Sequence, residues 1–137
     1  MSNLLSLPLL SMTVQTGNNE DWIESVKYVA PEEGMSDDDP AAPQVDLRGI
    51  TFEMEVRRTA DDHEVILSAS TDDGTLSIGA PPNYGYLIWN IPVETMKLKR
   101  AGNYVADVVG RDDQFSRRVI AMDLTLIEGV TKWPSPA

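Results

Sequence analysis

Residues 45–58 read V-D-L-R-G-I-T-F-E-M-E-V-R-R. After a turn signal at residues 46–49 the pattern alternates strictly, with Ile50, Phe52, Met54 and Val56 on one side and Thr51, Glu53, Glu55 and Arg57 on the other. Period two means a strand with one wet face. A strand half covered in charge cannot bury Phe52 and Met54 alone, so it requires a second apolar sheet face laid over it. The stretch supplies no reactive group, and function has to be sought in architecture and surface.

The alternation recurs. Residues 11–15 are a possible first strand. Residues 22–29 set Trp22, Glu24, Val26 and Tyr28 against Ile23, Ser25, Lys27 and Val29, so neither face is purely apolar and the strand reads as one near an edge or interface. Residues 64–70 return with Val65, Leu67 and Ala69 on one face, and the T-D-D-G turn at 71–74 leads to a short strand showing Leu76 and Ile78. Residues 84–91 turn Leu87, Trp89 and Ile91 inward and leave Tyr84, Tyr86 and Ile88 on a second face that is unusually apolar for water. Residues 92–100 begin with proline and space Val93, Met96 and Arg100 at three and four residues, which predicts one helical turn. Residues 102–110 and 115–128 make a final hairpin whose last strand sets Ile120, Met122, Leu124 and Leu126 inward and Arg117, Val119, Asp123 and Thr125 outward. Seven or eight short strands with at most one short helical turn predict an all-β, antiparallel β-sandwich.

The expected organisation is an N-terminal apolar arm over 1–12, a sandwich over 13–129 with an acidic loop at 30–44, and a C-terminal tail over 130–137. The arm carries Leu4, Leu5, Leu7, Leu9 and Leu10, is interrupted by Pro8, and has neither a signal peptide's basic start nor the length to span a bilayer. It reads as a segment that packs on this domain's own edge or on a neighbouring subunit. Trp133 is expected to be exposed or lent to a neighbour. The loop, with three prolines and the run Asp37, Asp38 and Asp39, is expected to be mobile, because burial there cannot offset its ordering entropy.

Twenty-two acidic residues against eleven basic ones leave a formal charge of −11, which repels phosphate backbones and anionic membranes. Neither nucleic acid nor a membrane is an expected partner. The chain has no cysteine, which removes disulfides and thiolate chemistry, and one histidine, His63, in an acidic turn. Consecutive aspartates do not match the alternate spacing of an EF-hand loop, and no common catalytic signature is present. The expectation is a non-enzyme with no cofactor and no metal. Trp22, Tyr84, Tyr86, Trp89 and Trp133 suit either a sugar-stacking platform or a core and subunit interface.

Four segments carry a family resemblance: T-V-Q-T-G-N-N-E-D-W-I (13–23), P-Q-V-D-L-R-G-I-T-F-E-M-E-V-R (43–57), A-G-N-Y-V-A-D-V (101–108) and E-G-V-T-K (128–132). In this order they resemble the N-terminal domain of siphophage baseplate upper proteins and related phage tail and prophage structural proteins. Loop 30–44 is longer and more acidic than that pattern, and the chain stops where relatives often continue into receptor-binding or linker modules. The resemblance implies an immunoglobulin-like or related sandwich acting as a non-catalytic adaptor in a virion tail, baseplate or neck, assembled in the host cytoplasm as a small stand-alone connector or decoration subunit. Its partners would be other phage structural proteins and copies of itself, through Leu4, Leu5, Leu7, Leu9, Leu10, Trp22, Tyr84, Tyr86, Ile88 and Trp133. The alternative is a carbohydrate-binding module that recognises a cell-surface glycan through Trp89, Tyr84 and Tyr86.

Overall fold

The structure, a computed structural model, describes residues 2–36 and 39–132. Eight strands run β1 (Leu10–Gly17), β2 (Trp22–Lys27), β3 (Thr51–Arg57), β4 (Leu67–Ser70), β5 (Leu76–Ile78), β6 (Tyr86–Ile91), β7 (Gly102–Arg111) and β8 (Ser116–Ile127). They form a five-stranded sheet in the order β1-β8-β7-β3-β4 and a three-stranded sheet in the order β2-β6-β5. The alternation of residues 50–57 appears as predicted, with Phe52, Met54 and Val56 buried and Thr51, Glu53 and Glu55 exposed. Opposite them the three-stranded sheet contributes Trp22, Leu76, Leu87, Trp89 and Ile91 to the same buried cluster. Each such side chain contributes about 1.5–3 kcal/mol when taken from water.

The helical turn predicted after Pro92 is α1 (Val93–Met96), which buries Met96. A second turn, of 3-10 type, spans Leu4–Ser6, so the expected maximum of one was too low. Its Leu4, together with Leu7, lies in the core. Gly110 on β7 makes room for it: a Cβ there would stand 2.9 Å from Leu4 Cδ1, 3.1 Å from Ile50 Cγ2 and 3.3 Å from Phe52 Cε1. Ser2 bonds Asp112 at 2.5 Å and Asn3 bonds the Asp46 carbonyl at 3.0 Å, fastening the segment across one end of the sheets. Residues 10–12 belong to β1. Residues 2–12 therefore close this domain instead of projecting from it.

Two further expectations change. The sheets are not wholly antiparallel, because β1 runs parallel to β8 in unbroken register from Leu10↔Ile120 to Gly17↔Ile127. Periodicity marks the faces of a strand but not its direction, and no hairpin joins these two strands to impose one. Val119, expected outside, is fully buried. The ladder between β7 and β8 slips there, with Val108 opposite Ile120 and Val109 opposite Arg118, so Val119 is an extra residue in a bulge that turns it inward.

Two of the segments that carry the resemblance meet at buried Asn18. Its side-chain amide donates to Lys99 O at 3.0 Å and Glu128 Oε1 at 3.2 Å, while its Oδ1 accepts from Gly129 N at 2.9 Å. The other two segments pair as β3 and β7. The loop over 30–44 is closed at its neck by a Val29–Gln44 bridge and by Ala30 N donating to Pro43 O at 2.8 Å. Asp37 and Asp38 of its acidic run lie outside the described residues.

Candidate functional site

The outer face of the three-stranded sheet follows from the alternation of its strands. With Leu87, Trp89 and Ile91 inward, β6 presents Tyr86, Ile88 and Asn90 outward; with Trp22 inward, β2 presents Ile23, Ser25 and Lys27. The register sets Ile88 between Ser25 and Ser77, Ile23 opposite Asn90, and Lys27 opposite Tyr86. Lys27 Nζ lies 5.8 Å from the centre of the Tyr86 ring, within cation–π range. Ile88 and Tyr86 are half-buried and Ile23 is 59% exposed, so an apolar centre stands inside a rim of hydroxyls, an amide and an ammonium. What it can do is bury apolar surface.

The predicted interface residues scatter around it. Tyr86 and Ile88 are in place. Tyr84 lies just before β6, and its ring is covered by Arg48, whose guanidinium carbon is 3.8 Å from the ring centre. Arg48 is itself held by Asp46 through contacts of 2.6 and 3.0 Å. That hydrogen bonding keeps the Asp46 carboxyl below the ordinary carboxylate range and raises the Arg48 guanidinium. Leu4, Leu7 and Trp22 are buried in this chain's own core, where no partner reaches them while the domain is folded. Leu10 is half-buried on β1, while Leu5 and Leu9 are 55% and 44% exposed. Trp133 lies outside the described residues. Ile23 was left out of the predicted set although its place opposite Trp22 in the alternation marks it as outward. Leu98, at 75% exposure, follows α1 and has no periodic signal that would have marked it.

Of the rings proposed for sugar stacking, Trp89 and Trp22 meet edge-to-face in the core with centroids 5.9 Å apart, so neither lies on the outer face that carries Tyr86.

The outer face of the five-stranded sheet is polar. An open groove of about 500 Å³ runs across it, lined by Ser11, Thr13, Glu55, Arg57, Asp107, Arg118 and Asp123 among others, and among the described residues no aromatic ring lines it. Glu55 sits directly opposite Asp107, an unfavourable like-charge pair that Arg57 relieves from the Glu55 side at 2.7 Å. Among the described residues no group of three or more His, Cys, Asp or Glu side chains is placed to hold a metal ion, and His63 is exposed in its turn. No helix among the described residues is long and apolar enough to cross a membrane.

No protein-family model matches this chain, and no curated protein matches its sequence.

Proposed function

We propose that the chain is a non-catalytic structural adaptor of a phage or prophage virion, seated in the tail, baseplate or neck, with an immunoglobulin-like domain as its body. The observation that carries the adaptor reading is the outward cluster of Ile23, Tyr86 and Ile88 on a molecule of formal charge −11. A patch of that kind, rimmed by polar groups, is suited to a fixed protein contact. The acidic remainder favours a basic neighbour. The virion placement rests on the resemblance carried by the four segments, whose residues build the scaffold.

The immunoglobulin-like assignment is supported by strand order. If β2 to β8 are taken as B, C, C′, D, E, F and G, one sheet is B-E-D and the other contains G-F-C-C′, the variable-type arrangement. Tyr104, near the start of β7, donates its hydroxyl to Arg100 O at 2.6 Å, as the tyrosine at the E–F corner of such domains does.

The test is to purify particles on a density gradient from a lysate producing the virus or induced prophage, and to probe for the chain. It is expected to band with tail-bearing particles, and Ile88→Asp, which leaves the inner face untouched, is expected to remain in the soluble fraction. A chain absent from particles, or incorporated equally well as Ile88→Asp, overturns the reading. The glycan alternative predicts sugar binding lost in Tyr86→Ala, read by calorimetry on the isolated chain.

A further inference from the structure

Among the described residues, strand β1 is the longest open edge. Four strands end a sheet: β1 and β4 in one, β2 and β5 in the other. β4 and β5 have four and three residues, and β2 carries Glu24 and Lys27. β1 has eight residues, L-S-M-T-V-Q-T-G, with no charge and no proline. Its pairing with β8 runs without a bulge. Short length, charge, proline and bulges are the devices that keep sheet edges from accepting another strand, and β1 has none of them. Among the described residues, the backbone of residues 10–16 bonds only to β8, so alternate N–H and C=O groups along its free side have no partner among those residues.

The occupant can be argued from charge and from symmetry. Two bodies of formal charge −11 repel wherever their acidic surfaces meet, and an uncharged edge lets them approach at the least cost. A strand from a basic partner would instead be selected by carboxylates along the edge, and β1 offers none. Ser11, Thr13 and Gln15 form the outer face of β1, and hydroxyl and amide side chains of this kind pair well with their own copies across an antiparallel ladder. On the inner face Leu10 and Met12 are half-buried against the core, and exposed Leu9 precedes the strand, so a second copy would complete their burial. A twofold axis brings each residue of the patch to the same patch on the other copy.

We infer that β1 is a self-association edge: two copies of the chain join their β1 strands antiparallel about a twofold axis, merging two five-stranded sheets into one continuous sheet. The inference stands on this strand alone and does not depend on the virion reading, which concerns the opposite sheet.

The experiment is sedimentation velocity on the full chain at about 100 μM, a concentration at which a contact of micromolar Kd is filled. The wild-type chain is expected to sediment as a dimer whose Kd falls as salt is raised, because screening removes repulsion between the acidic bodies and no ion pair at the edge is lost. Thr13 is exposed and faces Asp123 of β8, so Thr13→Lys keeps the fold, which an unchanged thermal melt verifies, while setting lysines close together across the axis. Its Kd is expected to rise at least about tenfold, a loss of about 1.4 kcal/mol. Mixing Thr13→Lys with Thr13→Glu is expected to give a dimer tighter than either variant forms alone. A wild-type monomer at this concentration overturns the inference. So does a dimer that Thr13→Lys leaves intact, since the contact would then lie elsewhere.

Discussion

The hydroxyl of Tyr28 donates a 2.7 Å hydrogen bond to the carbonyl of Val119 and thereby joins the two sheets through the core. Val119 is the extra residue of the β8 bulge, so its carbonyl falls out of step with the ladder, and the tyrosine that continues the line of β2 meets it. Tyr28→Phe keeps the ring but leaves a buried carbonyl without a donor. A loss of about 1–3 kcal/mol in denaturant unfolding is expected, with the same secondary structure by circular dichroism.

The same residue sets an alkaline limit. Burial pushes the Tyr28 phenol well above its ordinary value of 10.0, so the folded state favours the protonated form more than the unfolded chain does. Its contribution is full below the unfolded value and is lost as pH rises above it toward the folded value. The melting temperature of the wild-type chain should fall beyond about pH 10, and Tyr28→Phe should show a shallower fall over that interval.

Leu4 is a core residue despite its place near the chain's start, and this separates a docked segment from a loose one. Leu4→Ala is expected to cost about 2–5 kcal/mol, as for other buried leucines. Leu5→Ala, one residue on and largely exposed, should stay within about 0.5 kcal/mol of wild type. Equal effects from the two would show that the segment does not pack as described.

Asp112 holds the same segment by its bond to Ser2, the largest of the hydrogen bonds that keep its carboxyl below the ordinary 3.8. A lowered folded value gives a contribution that is present above the unfolded value and is lost as pH falls through the folded one. The protection factors of amides in residues 2–7, with the intrinsic pH dependence of exchange divided out, should therefore fall on acidification through the carboxylate range, and Ser2→Ala should remove much of that dependence.

At the corner made by Asn18, a Cβ on Gly129 would stand 2.1 Å from Asn19 Cγ, so Gly129→Ala must move the turn or expel Asn19. The expected cost is about 1–3 kcal/mol. Asn18→Ala, which strips three bonds from a buried position, should cost a similar amount, and the double variant should cost less than the sum because both act on one contact.

Met54→Asp and Leu124→Asp each place a charge without a partner on the inner face, where the wild-type residues are 1% and 2% exposed. A buried unpaired charge costs several kcal/mol, against a stability of about 5–15 kcal/mol for a domain of ordinary size. Loss of the cooperative melt is expected for both. A melting temperature equal to wild type in either would mean that the inner face is misassigned.

The residues by themselves determined which side of each long strand is dry. Phe52, Met54 and Val56, and likewise Leu87, Trp89 and Ile91, announce their burial because alternation is a local property of extended backbone, and proline and glycine announce the breaks. Of the candidate surface, Tyr86 and Ile88 were readable for the same reason. Tertiary structure alone decided that β1 lies parallel to β8, that a bulge turns Val119 inward, that Leu4 fills space beside Gly110, and that Arg48 covers Tyr84. Each of those depends on groups brought together from distant parts of the chain, through a register or a cavity that exists only once the sheets have closed, and no periodicity within a single strand encodes it.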